Sequence, residues 1–252
     1  MQLPIAEFDP GREVYIDPTK ILSPADVPER CVACFFPEVL EKVGKEHCAR
    51  IVASHPWEDG DHPIYEITHK GKRLAYFRAG IGSPQSAAML EESIAFGCRK
   101  FVACGGCGVL DRSIGVGHVV VVGSAVRDEG TSYHYLPPSR EVAANESALT
   151  NLCSTLRRQG IPFVVGKTWS TDAPYRETKG MVAARRAEGC IVVEMEAAAM
   201  MAVAQHRKVS FAQLLYGGDD LSGPEWDSRD WKSRHQVREN LFWLSADAVL
   251  DL

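Results

Sequence analysis

The chain has 252 residues, 45% of them hydrophobic, and a formal net charge of −5. That is enough to bury a full core in a single domain covering residues 1–252. The mildly acidic charge, with no long basic run, argues against nucleic acid or a membrane surface as partner, and no apolar stretch approaches the ~20 residues that span a bilayer.

The opening MQLPIAEFDP has neither the basic nor the apolar region of a secretory signal, so a cytoplasmic protein is expected. Residues 1–30 are rich in Pro and Asp and are expected on the surface or against a partner subunit. Eight scattered cysteines include two CxxC pairs, Cys31/Cys34 and Cys104/Cys107. Their distance in sequence, and a second pair that closes an apolar strand in glycines, favour buried reduced thiols over a four-thiolate zinc site.

In chain order, strands are predicted at Ala49–Ser54, Ile64–Thr68, Arg73–Ala79, Lys100–Cys104, Val119–Ala125, Phe163–Trp169, Cys190–Glu194 and Phe211–Tyr216. Helices are predicted at Ser86–Phe96, Arg140–Gln159, Glu177–Glu188, Glu196–His206 and Lys232–Leu250. Strands such as VVVVGSAV and CIVVE are apolar throughout, the pattern of strands buried on both faces. The fold class that follows is α/β: a three-layer αβα sandwich with a mixed central sheet. In such folds ligands gather beyond the carboxyl ends of the strands.

Four strand ends carry unusual chemistry. In RAGIGSPQSAAMLEES, Gly82 and Ser83 precede a helix whose N–H groups offer an anion site with Arg78 close by; an ordinary capped strand–helix turn explains the same residues. In ACGGCGVL, Gly105 and Gly106 either let a ligand approach the backbone or make a tight turn. In VVEMEAAAMMAVA, Glu194 and Glu196 stand where a strand gives way to a helix, amid apolar sequence that a carboxylate normally avoids. A carboxylate there can accept both hydroxyls of a vicinal diol such as that of ribose, although Glu196 alone would also pass as a first-turn helix residue. In LLYGGDDLSG, Asp219 follows an apolar strand, where a raised pKa would suit a general acid and an Asp-Gly turn is the plainer alternative.

Taken together and in this order, GIGSPQSAAMLEE, GGCGVL, AVRDEGTSYHYLPPSR, STDAPYRET, VVEMEAAA and GGDDLSG resemble the nucleoside phosphorylase-I family, over roughly residues 70–225. Its members include purine nucleoside phosphorylases, uridine phosphorylases, methylthioadenosine-type phosphorylases and related nucleosidases. The resemblance implies a phosphorylase/hydrolase-like fold and cleavage of an N-glycosidic bond through an oxocarbenium-like transition state. Inorganic phosphate would be co-substrate, with no metal or organic cofactor. It also implies that Glu196 holds the 2′ and 3′ hydroxyls, Met195 packs on the sugar, Glu194 supports the site, and Asp219 hydrogen-bonds or protonates N7 of a purine. Tyr135, Pro174 and Tyr175 would lie around the base or the 5′ side. Family members assemble as dimers or as hexamers built from three dimers, so a homo-oligomer is expected.

The chain departs from the family where phosphate binds. The family's Gly-Asp-Pro-x-Arg segment is set against SPADVPERC, with Arg30 as its remnant. Its Arg-x-Gly-Ser/Thr becomes Ala103-Cys104-Gly105-Gly106. Alanine cannot replace a two-pronged, permanently charged contact. Three readings follow: phosphate held by Arg78 with Arg30 or Arg127, water in place of phosphate, or a non-catalytic nucleoside-binding relative.

Overall fold

A computed structural model describes residues 3–11 and 13–252. The elements in chain order are α1 (Pro18–Ile21), β1 (Arg30–Cys34), α2 (Pro37–Glu46), β2 (Arg50–Trp57), β3 (Gly60–His69), β4 (Lys72–Arg78), α3 (Ser83–Phe96), β5 (Lys100–Val109) and β6 (Val119–Asp128). They continue with β7 (Glu141–Ala143), α4 (Glu146–Arg158), β8 (Phe163–Thr171), α5 (Lys179–Ala187), β9 (Cys190–Glu194), α6 (Ala197–Arg207), β10 (Ser210–Asp220) and α7 (His235–Asp251).

One mixed sheet of ten strands runs in the order β10-β6-β8-β9-β5-β1-β4-β3-β2, with β7 beside β6. A further pairing of β10 with β5 joins the ends of β10-β6-β8-β9-β5 into a closed ring. Alternate residues of the central strands face opposite layers. Cys31, Ala33, Phe101 and Ala103 pack towards α3 and α6. Val32, Cys34, Val102 and Cys104 pack towards α2, α4 and α7. This is why the strands read as continuously apolar, and the expected helix–sheet–helix layering with a mixed sheet is what forms.

The strand Cys190–Glu194 was predicted to the residue. Elsewhere the differences have local causes. The predicted helix Arg140–Gln159 is split: Val142 pairs with Ala125 in β7, and Asn145 then accepts the Ala148 N–H to start α4. Thr178 likewise caps α5, which leaves Glu177 outside the helix. The strand β1 and helix α2, unpredicted, rise from the short apolar run RCVAC and from Pro37 at a helix start.

The GGCG and GGDD segments, for which a turn was one of two readings, are the carboxyl halves of β5 and β10. Their glycines serve close packing. A Cβ at Gly105 would meet the Phe35 ring at 3.0 Å, one at Gly106 the Tyr216 ring at 3.1 Å, and one at Gly108 both Leu221 and Val193 below 3.0 Å. Among the described residues no helix is long and apolar enough to cross a membrane.

Candidate active site

Three segments meet at the carboxyl half of β5. Val193, just before the end of β9, pairs with Gly108, and Gly217 and Asp220 of β10 pair with Cys107 and Val109. Cys107 therefore lies between the two acidic strand ends. Its thiol is pushed well above the ordinary cysteine value by burial, and further by the charges of Glu194 and Asp219.

The two glutamates of the EME segment have different surroundings. Glu194 is saturated with donors: Ser170 Oγ (2.6 Å) and Thr168 Oγ1 (3.3 Å) on one oxygen, the N–H groups of Glu196 (2.7 Å) and Ala197 (2.6 Å) on the other. It anchors the end of β9 to β8 and caps the start of α6. Ser170 Oγ in turn accepts the Ala198 N–H at 3.0 Å. The first serine of STDAPYRET is thus the bracket under the site, a role its hydroxyl beside two buried acids explains.

Glu196 has fewer partners. Its Oε1 accepts the Gly82 N–H at 2.7 Å and its Oε2 the Met195 N–H at 3.3 Å. It is 7% exposed, and burial, reinforced by the neighbouring charge of Glu194, lifts its pKa to about 8. Glu194 is also raised by burial, but its four donors oppose the shift. Of the pair, Glu194 has both oxygens taken up by four donors, while Glu196 has one donor on each oxygen. The alanines after Glu196 are fully buried, so α6 sits close beneath.

The GIGS turn is committed to this segment. Gly82 caps α3 with φ +88°, a conformation suited to glycine, and its N–H points at Glu196. Ser83 Oγ donates to the Met195 carbonyl at 2.6 Å. Gly82 and Ser83, expected at phosphate, tie the turn to the glutamate segment.

Across Cys107 from Glu194 stands Asp219, whose Oδ2 accepts the Trp226 indole N–H at 2.7 Å. Beside it lies Glu177, half-buried, whose pKa is lifted to about 7 by burial and then by the charge of Asp219. The sequence reading assigned Glu177 to a helix. The signal that marks it is Thr178, whose capping side chain ends the loop one residue later.

The remaining expectations divide. Met195 is half-buried just after the end of β9. Tyr175 is fully exposed and covers nothing within this chain. Tyr135 packs edge-on against His206, near the far end of α6 from Glu196, roughly 15 Å along the helix at 1.5 Å per residue. On the side where a Cβ would stand, Gly105 faces the Phe35 ring and Gly106 the Tyr216 ring, and Gly106 stays partly exposed.

Arg30 begins β1, in register with Lys100 at the start of β5, so it lies at the amino ends of parallel strands and pairs with Glu29. The SPADVPERC segment around it leads into the amino end of β1, away from the carboxyl half of β5 where the glutamate segment lies. Arg127 is buried and bonded to Ser132 Oγ, Ser139 Oγ and the carbonyls of Leu136 and Pro137, so it organises the loop after β6. Arg78 differs from both. It ends β4 beside Cys34 of β1, is exposed, and lines a cavity of about 660 Å³ together with Gly80, Ile81 and Gln85 of the same turn.

A family model described as the phosphorylase superfamily matches residues 29–243. The chain belongs to the phosphorylase superfamily. A guanosine phosphorylase of Halorubrum lacusprofundi is 31% identical over 201 residues, 77% of this chain and 83% of that one. A uridine phosphorylase of Haemophilus influenzae is 33% identical over 105 residues, 42% of each chain. Among solved structures, the uridine phosphorylase of Vibrio fischeri ES114 superposes with a TM-score of 0.76 at 19% identity, over 90% of this chain and 94% of that one, and so shares the superfamily's fold.

Proposed function

We propose that this chain is a nucleoside phosphorylase that cleaves the N-glycosidic bond of a purine nucleoside with inorganic phosphate, giving free base and pentose 1-phosphate. The observation that carries the reading is the convergence, on the carboxyl half of β5, of the buried glutamate segment at the end of β9 with two further carboxylates, Asp219 at the end of β10 and Glu177 beside it. Glu196 takes the 2′ and 3′ hydroxyls and Met195 the sugar face, while Glu194 and Ser170 hold both in place. Asp219 meets N7 of the leaving base, and a hydrogen bond or proton there offsets the charge that develops as the bond to C1′ breaks.

Two carboxylates together suit a base rich in N–H donors. Guanine offers N1–H and the exocyclic amine to Glu177 while its N7 faces Asp219. The likeness to a guanosine phosphorylase supports that choice. Arg78, at the end of β4 beside the GIGS turn, is the proposed phosphate contact. No metal or organic cofactor is invoked.

One observation favours a second reading. Ala103, which stands where the family's arginine would, is a fully buried apolar side chain within β5. The loss of that charged anion contact would suit water as the nucleophile and make the enzyme a nucleosidase. We further propose a homo-oligomer, a dimer or a hexamer of three dimers, because Ile51, Trp57 and Ile81 leave apolar surface exposed towards the β2 edge. A reducing, cytoplasmic setting is proposed from eight free cysteines, seven of them buried. A nucleoside panel tests the base assignment: guanosine and inosine should be cleaved faster than uridine, and a uridine preference would reject it.

A further inference from the structure

Trp226 is out of place for an aromatic residue with a structural role. It is 62% exposed, so its ring gains little from burial, yet its indole N–H is spent on Asp219 Oδ2 at 2.7 Å. The chain around it is built to bring it there. Asp220 and Asp227 exchange two backbone hydrogen bonds, at 2.8 and 3.0 Å, which close the 221–226 loop on itself. The Asp220 carboxylate bonds the Ser222 N–H and the Arg229 guanidinium, and Arg229 also donates to the Ile114 carbonyl at 2.8 Å. Contacts of Lys179 with Glu225 and of Arg186 with the Ser222 carbonyl fasten the same loop to α5.

The two oxygens of Asp219 consequently face different ways. Oδ2 is turned out to the exposed indole. Oδ1 lies against β5, where a Cβ at Gly108 would stand 3.7 Å from it. A carboxyl group on a strand end is otherwise free to rotate, and catalysis at a leaving base requires a fixed oxygen.

We propose that Trp226 is the positioning residue for Asp219, holding Oδ2 on the solvent side so that Oδ1 is presented to N7 of a purine. The proposal rests on the nucleoside-cleaving reading of the site. Trp226 touches the base through nothing but Asp219, so its effect follows the demand for help at N7. It also explains why the loop after β10 is tied down at Asp220, Arg229 and α5 while its tryptophan stays in solvent.

The test compares guanosine with 7-methylguanosine, whose N7 is methylated and already cationic, in wild type, Trp226→Phe, Asp219→Ala and the double variant. With Trp226→Phe, kcat on guanosine should fall about tenfold more than kcat on 7-methylguanosine, with KM moving little. In the Asp219→Ala background the same change should cost nothing further. In protein labelled with ¹⁵N-tryptophan, the indole N–H resonance assigned through Trp226→Phe should move upfield in Asp219→Ala, as expected when a charged acceptor is removed. Equal losses on both nucleosides, an additive loss in the double variant, or an unmoved indole resonance overturns the proposal alone. A wild-type enzyme that cleaves neither nucleoside overturns the functional reading and the proposal with it.

Discussion

The carboxylate of Glu196 accepts the Gly82 N–H at 2.7 Å, across 114 positions of sequence. That bond joins the turn after β4 to the end of β9, and it holds in advance the oxygen that the sugar diol is proposed to meet. Glu196→Ala should lower kcat/KM by more than about a hundredfold, since orientation of the sugar is lost together with its hydrogen bonds. Near-normal turnover would remove the diol assignment.

The same residue has a pH signature. Its pKa is about 8 in the fold against 4.5 for a free glutamate, so the folded state holds the proton more tightly between those values. Its contribution to stability is complete below about pH 4.5 and is lost as pH rises through 8. Glu196→Gln keeps the acceptor for Gly82 and carries no charge. It should therefore show a smaller fall in Tm between pH 5.5 and 8.5 than wild type, by several degrees, at about 2–4 °C per kcal/mol for a chain of this size. Parallel Tm profiles would contradict the buried-acid account.

Glu177 is expected to act as an acceptor for base N–H groups, which requires its ionised form. With a pKa near 7, kcat/KM for guanosine should rise with pH through that value, and Glu177→Gln should flatten the rise. A rate that falls through pH 7 instead would make Glu177 a donor.

Arg78→Ala should raise the KM for phosphate by tenfold or more and leave the KM for guanosine within about threefold, because a lost charged contact to an anion is worth roughly 1.5–3 kcal/mol. Steady-state kinetics with phosphate varied at saturating nucleoside decide this. An unchanged phosphate dependence would place the anion contact elsewhere than Arg78.

Much of this arrangement was legible in the sequence, and the rest was hidden for physical reasons. Layering and most elements followed from apolar periodicity, and Glu194, Glu196 and Asp219 stood out as acids beside apolar runs. What periodicity does not encode is which way a strand end faces. Arg30 and Arg78 look equivalent as arginines beside apolar strands, yet one opens β1 and the other closes β4. Glycine is ambiguous in the same way: GGCG can be read as a turn, and the neighbouring rings of Phe35 and Tyr216 show it as a strand that must be slim, as Ile114, Val109 and Trp231 do for the glycines of GGDD. Glu177 was missed because one capping threonine moves the helix start past it, and Tyr135 was misplaced because its partner, His206, is remote in sequence.

Phosphorolysis itself is tested most directly by product analysis of guanosine cleavage with and without inorganic phosphate. The account predicts guanine and ribose 1-phosphate in equal amounts, with a rate that saturates in phosphate and is negligible without it. Guanine and free ribose, released at the same rate whether or not phosphate is present, would contradict it.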